Sequence, residues 1–330
     1  VQEASSMFVE YVVRELIPMP VICLDLCAAP GGKSVGLLSA LPEGSLLVSN
    51  EIVRQRANIL SETLIKFGHS NSVVTQNRVK DFAAFPGLFD LILVDAPCSG
   101  EGMFRKDEVA MQEWSPQNVA MCAARQRDIL DDVWPALRPG GLLLYSTCTY
   151  NRDENEENAR WAASKLGAIF TKVEIGADWN ITPSCSGETG GYHFYPHKVK
   201  GEGFFVTVLR KPEVELSGAG FHAKKNRKQT TVFIKNPVEY SGLIRNPELF
   251  HFMESGDRII ALPKVYAETI VLFMNNLNSI SAGIELGVRK GRDFIPSHAL
   301  AMSIALNREA FFNHEVTYEQ AIAYLRKVSI

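Results

Sequence analysis

No window of the 330-residue chain approaches the ~18–20 consecutive apolar residues of a membrane-spanning helix, which excludes a helical membrane protein. Cysteine is scarce. Six residues are too few for a disulfide scaffold in a chain this long, and no Cys-x-x-Cys pair offers a redox dithiol. Zinc is a poor fit too: Cys23 and Cys27 have no second such pair or paired histidines to complete four ligands. Two phosphate-binding signatures are missing. G-x-G-x-x-G does not occur, and the first glycine that a P-loop requires is Cys27 here. The chain starts at Val1 without a methionine and shows no basic, apolar, small-residue leader. A reduced, cytoplasmic setting is expected, and a segment preceding Val1 is expected to be missing.

Forty-six per cent of the residues are apolar, enough for a sizeable core. At ~150 residues per domain the length suggests about two domains. The net charge of −3 hides an asymmetry. Residues 1–197 carry 16 Lys and Arg against 24 Asp and Glu, whereas residues 198–330 carry 18 against 13. A basic second part is one footprint of nucleic-acid binding.

Residues 1–211 alternate strand and helix signals. A period near 3.6 runs through residues 7–17. Apolar strands are expected at 21–26, 46–50, 73–75, 91–94, 142–145 and 204–209. Helices are expected at 33–41, 52–67, 117–137 and 154–166, the third stopped by Pro139-Gly140-Gly141. Such alternation implies right-handed crossovers and a doubly wound, mostly parallel α/β sheet. Residues 212–231 read as a linker, and a smaller α+β domain is expected over 232–330. Ligands of doubly wound sheets bind beyond the carboxyl ends of the strands, where strand order reverses. The residues to inspect therefore follow Leu26, Asn50, Val94 and Tyr145.

Cys27-Ala28-Ala29-Pro30-Gly31-Gly32-Lys33 follows the first strand and opens a helix. Its glycines allow close backbone approach to a ligand, and without a phosphate signature the ligand is a nucleoside without a pyrophosphate. Glu51 ends the second strand, where a carboxylate can accept both ribose hydroxyls. Asp95-Ala96-Pro97-Cys98 follows the fourth strand and Ser146-Thr147-Cys148 the fifth, so Cys98 and Cys148 are expected to face one crevice. Cys23, Cys122 and Cys185 read as small buried hydrophobes. Two thiols, a carboxylate and a nucleoside-cofactor loop fit the methylation of cytosine at C5. A thiolate adding to C6 makes C5 nucleophilic, and a carboxyl on the N3/N4 edge stabilises the charge that develops on the ring. The base must first be unstacked.

The run Cys27–Lys33, the Pro97-Cys98 pair and the Thr147-Cys148 pair, in this order, resemble the Nol/Nop/Sun family of RNA cytosine-C5 methyltransferases. Val1–Met7 and Glu101–Lys106 also resemble the family, and Gly201–Phe205 and Gly283–Leu306 resemble its bacterial branch acting on 16S ribosomal RNA. The resemblance implies a Rossmann-like class I methyltransferase fold with S-adenosylmethionine as cofactor. It implies Cys148 as nucleophile, Cys98 in product release, Asp95 on the cytosine edge, and Lys33 on Asp95 or the target base. Cofactor contacts are implied for Cys27, Ala28, Ala29, Pro30, Gly31, Gly32, Lys33, Glu51 and Asp95. Family members carry an Asp near the end of the third strand for the adenine amino group. Asn77 stands there, with Asp81 nearby, and its side-chain oxygen can accept the same hydrogen bond.

RNA contacts are expected from Arg105 and Lys106, from the run Lys224, Lys225, Arg227 and Lys228, and from Arg289, Lys290 and Arg292. The first pair and the run are equally readable as solvated charge, and the last three lie in a Gly-rich stretch that resembles the family's RNA-docking C-terminal region. Tyr192, His193 and Phe194 read as core. His193 and His197 are spaced like metal ligands, but the reaction needs no metal. The expected partner is RNA, in 16S form or as the small subunit, with the protein a monomer. A transfer-RNA methyltransferase and a non-catalytic ribosome-assembly factor are the alternatives. A DNA cytosine methyltransferase fits less well, because that group uses the Pro-Cys cysteine as nucleophile.

Overall fold

The computed structural model describes residues 2–184, 190–213 and 233–328. The apolar runs of the first half form five parallel strands. These are β1 (Ile22–Asp25), β2 (Leu46–Asn50), β3 (Ser72–Thr75), β4 (Phe89–Asp95) and β5 (Leu137–Thr147). Four antiparallel strands continue beyond β5: β6 (Ile169–Phe170), β7 (Thr182–Pro183), β8 (Gly191–Phe194) and β9 (Phe204–Arg210). The order through the first five is β3-β2-β1-β4-β5, so strand order reverses between β1 and β4. The ligand crevice is expected at that point.

The sheet is buried on both faces, and strand periodicity divides its side chains. Leu24, Val48, Ile92, Val94, Leu143 and Tyr145 face one side, whereas Cys23, Leu47, Leu91, Leu93 and Leu144 face the other. Helices α1 (Met7–Leu16), α2 (Gly32–Ala40) and α3 (Arg54–Phe67) cover the second face with Val12, Leu37 and Leu60. After the short α4 (Glu108–Glu113), α5 (Pro116–Val133) and α6 (Glu156–Leu166) cover the first with Leu130 and Ala162. The Ser115 hydroxyl caps α5 by accepting from the Asn118 N–H at 3.1 Å, and Pro116 fits its first position.

The helix expected over 117–137 ends earlier, at Val133. Pro135 has no N–H to continue the ladder, and residues 134–136 tighten into one 3-10 turn. The chain re-enters the sheet at Leu137, and Pro139-Gly140-Gly141 lies inside β5 rather than before it.

The chain beyond residue 233 is not a self-contained body. It contains α7 (Val238–Ser241), β10 (Phe250–Ser255), β11 (Arg258–Pro263), α8 (Ala267–Asn276) and β12 (Ser279–Ala282). Then come β13 (Ile284–Lys290), β14 (Asp293–Pro296), α9 (His298–Met302) and α10 (Tyr318–Leu325). β10, β11, β13 and β14 form a second antiparallel sheet. Ile259 and Ala261 of β11 face a local core with Tyr240 and Leu300, while Ile260 and Leu262 face the core of the first sheet. β12 pairs antiparallel with β3, and Phe273 of α8 packs on Phe85 and Phe89. The smaller sheet expected in this part is there, with a core of its own on one face; its other face packs into the core of the first sheet, to which the same part of the chain adds β12. The expected linker lies outside the described residues from residue 214 on. Among the described residues no helix is long and apolar enough to cross a membrane.

Phe273 is fully buried, with ring centroids 5.2 Å from Phe85 and 5.8 Å from Phe89. Phe273→Ala is expected to destabilise the whole chain by about 3–5 kcal/mol, the usual cost of emptying a buried aromatic site. Denaturation followed on both sheets checks this; loss of the second sheet alone would contradict a shared core.

Candidate active site

The parallel register sets Asp95 of β4 opposite Ser146 of β5. The loops that leave these residues bring the two thiols together: Cys98 Sγ lies 3.1 Å from Cys148 Sγ, and the Cys148 N–H donates to Cys98 Sγ at 3.3 Å. The loops are also tied further out. Glu101 Oε2 accepts the Tyr150 N–H at 3.1 Å, and the Gly102 N–H donates to the Cys148 carbonyl at 2.8 Å. A Cβ on Gly102 would sit 2.8 Å from that carbonyl and 2.5 Å from the Gly203 carbonyl. Only glycine permits this approach.

The pair is electrically unequal. The hydrogen bond from the Cys98 thiol holds the Cys148 thiol below its ordinary value, against burial and Asp95, with help from the Lys33 ammonium. The same bond, with burial, pushes Cys98 well up. Ionisation is therefore favoured at Cys148 and disfavoured at Cys98. Cys27 fits no such role. Burial, beside Asp25, Asp95 and Glu51, pushes its thiol up.

Lys33 reaches the carboxylate at the end of β4. Its Nζ lies 3.0 Å from Asp95 Oδ2, and the Ser146 hydroxyl donates to Asp95 Oδ1 at 2.8 Å. Burial pulls the Lys33 ammonium down, but Asp95 outweighs it and the net shift is upward, so the side chain stays charged. Its Nζ also lies 5.3 Å from the centre of the Phe204 ring.

The loop 27–33 turns sharply into α2. Gly31 has φ +111°, and a Cβ there would also meet Thr63 Cγ2 at 2.9 Å. The Ala28 N–H donates to the Asn50 carbonyl at 2.8 Å, seating the loop on β2. Glu51 is buried at the end of β2, where Oε1 accepts the Val53 N–H at 2.9 Å and Oε2 pairs with Arg56 at 3.1 Å. Arg56 also donates to the Ala29 carbonyl at 2.9 Å, joining the carboxylate to the loop. Asp25, at the end of β1, is buried and bonded to the Ser34 hydroxyl at 2.6 Å, while its Oδ1 has no partner among the described residues. Burial, against the Ser34 bond, pushes its pKa up to about 7.

Asn77 does not stand free for an adenine. Its N–H donates to Asn50 Oδ1 at 2.9 Å, and its own Oδ1 accepts the Asn278 N–H at 3.0 Å. The expected acceptor is thus held by the segment between α8 and β12, with one lone pair left over. Asp81 is 3.4 Å from Asn77 Nδ2.

The expected RNA-binding residues are not alike. Arg105 pairs with Glu202 at 3.0 Å and donates to the Gly201 carbonyl, whereas Lys106 is exposed and has no ion pair among the described residues. Arg289 pairs with Glu239 and with the Tyr240 hydroxyl, while Lys290 and Arg292 are exposed at the β13–β14 turn. Lys224, Lys225, Arg227, Lys228 and Cys185 lie outside the described residues. His193 is buried against Glu156 at 2.8 Å, and among the described residues no cluster of His, Cys, Asp or Glu could hold a metal. Glu101, Gln126, Glu154 and Asn155, which hold the cysteine loops, were not singled out from sequence. Glu154 and Asn155 have one signal, the amide- and carboxylate-rich stretch 151–158 that follows β5, and Glu101 and Gln126 lie outside it.

A family model described as 16S rRNA methyltransferase RsmB/F matches residues 19–210. The ribosomal RNA small subunit methyltransferases F of Pectobacterium atrosepticum and Klebsiella pneumoniae are each 38% identical over 212 residues, 64% of this chain. The match spans 44% of each relative, less than half its length. The structure of NSun6 from Pyrococcus horikoshii with SFG is similar, at TM-score 0.56 and 29% identity over 64% of this chain and 52% of that one. A methyltransferase homologue from the same organism gives TM-score 0.54 and 26% identity, over 64% and 67%.

Two measurements test the electrostatics. Alkylation of Cys148 by iodoacetamide, followed against pH by mass spectrometry, is expected to titrate below the range of an ordinary thiol. Cys98→Ala is expected to move that midpoint up, because it removes the hydrogen bond that favours the thiolate. Asp25 is protonated in the fold up to about 7, above its ordinary 3.8, so the native state holds a proton that the unfolded chain releases first. Its contribution to stability is complete below 3.8 and falls as pH rises to about 7. Thermal melts across this window are expected to slope less in Asp25→Asn than in the parent.

Proposed function

Since the chain belongs to the RsmB/F methyltransferase family, whose methyl donor is S-adenosylmethionine, we propose that it methylates C5 of a cytosine in 16S ribosomal RNA through a covalent adduct with Cys148. The observation that carries this reading is the unequal thiol pair at the ends of β4 and β5, beside the Lys33–Asp95 ion pair.

The site's residues fit the cofactor. Glu51 ends β2, where an acid serves ribose hydroxyls; Asp25 has an unpartnered carboxylate oxygen; and the 27–33 loop offers backbone in place of a phosphate cradle. The bound cofactor supplies an electrophilic methyl group. The Cys148 thiolate forms a bond to C6 of the cytosine, and the electron pair of the C5–C6 double bond becomes available at C5 to take the methyl. Asp95, held by Lys33 and Ser146, accepts a hydrogen bond from the N4 amino group, and the Lys33 ammonium beside it offsets the negative charge that develops on the ring. Cys98 gives its own proton to solvent water and, as the thiolate, takes the C5 proton, directly or through a water. The double bond reforms, the bond from sulfur to C6 breaks, and the Cys148 thiolate returns.

The direction of the thiol shifts supports Cys148 over Cys98 as nucleophile, against the order used by DNA cytosine methyltransferases. The test uses S-adenosylmethionine and unmodified small ribosomal subunits. Cys98→Ala is expected to trap a protein–RNA adduct on a denaturing gel, and Cys98→Ala/Cys148→Ala to trap none. An adduct that survives loss of Cys148, or none in either variant with cofactor binding intact, would count against the reading.

A further inference from the structure

Beneath the two thiols lies a cluster of buried polar side chains that this chemistry does not use. Gln126, Tyr145, Glu154, Asn155 and Asn158 have no exposed surface. Burying such groups is costly unless each finds partners, and here many of the partners flank the two cysteines. Gln126 Nε2 donates to the Pro97 carbonyl at 3.0 Å and to Glu154 Oε2 at 2.8 Å. The same Oε2 accepts the Ser99 N–H at 3.0 Å. The groups on both sides of Cys98 therefore end on one glutamine–glutamate pair. Tyr145 and Asn158 both donate to Gln126 Oε1, at 2.9 and 2.8 Å, which fixes the amide with its donor facing Pro97 and Glu154.

Asn155, the next residue, does the same for Cys148. Its Oδ1 accepts the Thr147 hydroxyl at 2.5 Å and its Nδ2 donates to the Thr149 carbonyl at 3.0 Å. The Ser99 and Thr149 hydroxyls, 3.0 Å apart, link the two brackets. Adjacent residues at the start of α6 thus hold the two loops whose spacing sets the thiol contact.

We infer that Glu154, with Gln126, is a positioning residue for the step that releases product, and that Asn155 is its counterpart for the step that forms the adduct. The inference rests on the two-cysteine reading above. Its signature is a partition between steps: a misplaced Cys98 slows release more than attack, so adduct accumulates, whereas a misplaced Cys148 forms no adduct. A merely structural role lowers both steps together.

The experiment uses the full chain with S-adenosylmethionine and unmodified small ribosomal subunits, read on denaturing gels. Cys98→Ala comes first, and if it traps no adduct the two-cysteine reading itself fails. With that control positive, Glu154→Ala and Gln126→Met are expected to accumulate adduct, release being slowed on the order of 10- to 100-fold, as for displacements of about 1 Å. Glu154→Gln keeps an acceptor for Ser99 and Gln126 and is expected to rescue release. Asn155→Ala in the Cys98→Ala background is expected to lose the trapped adduct while still binding cofactor. Misfolding cannot produce a gain of adduct. Parental adduct levels in both Glu154→Ala and Gln126→Met, or loss of adduct in both, would overturn the role of Glu154. Retained adduct in the Asn155→Ala double variant, or loss of cofactor binding along with adduct, would overturn that of Asn155.

Discussion

The alignment of β4 on β5 is the constraint on which the site depends. Parallel pairing sets Asp95 against Ser146, and each strand then releases a loop that carries a cysteine two or three residues on. A slip of one residue would turn Asp95 and Ser146 to opposite faces of the sheet and part the thiols. Buried neighbours on both strands hold the register: Ile92 against Leu143, Leu93 against Leu144 and Val94 against Tyr145. The core does more than bury surface, because it fixes the distance between reactive atoms.

Electrostatics then distinguishes two chemically identical side chains. Cys98 and Cys148 differ in what each receives. The contact between the sulfurs and the nearby Lys33 ammonium favour ionisation of Cys148, whereas the same contact and burial disfavour it at Cys98. Asp95 opposes the thiolate, and Lys33 offsets it through an ion pair at 3.0 Å. Removing the lysine would leave two anions facing each other in a partly dry crevice, where repulsion is felt more strongly than in water.

Most of the first sheet was legible in the sequence, because buried parallel strands are written as short apolar runs and their helices as periodic ones. The 27–33 loop, Glu51, Asp95 and both cysteines were legible because strand ends are marked by the change from apolar to polar residues. The end of α5 was misread: Pro139-Gly140-Gly141 looked like the stronger stop, yet Pro135 acts first by withholding an N–H. The short strands β6, β7 and β8 carry too few residues to show alternation. The entanglement of the C-terminal part with the first sheet was hidden for another reason. β12 pairs with β3 across some two hundred residues, and neither β12 nor Asn278 carries any local mark of its partner. Glu154 and Asn155 were hidden because a buried carboxylate or amide reads as a solvated one until its partners are known.

The pairing of β12 with β3 has a bearing on solubility. Ser72–Thr75 is a wholly buried strand with three β-branched residues in four, the kind that recruits foreign chains when its backbone is left unpaired. β12 covers that backbone with a segment that makes a poor template itself. It is four residues long, includes two serines and is broken by a register shift between Ser279 and Ser281. The opposite end of the sheet finishes on β7, only two residues long and ending in a proline. The sheet thus ends on both sides in strands that give a foreign chain little to pair with, and the C-terminal part supplies one of these guards.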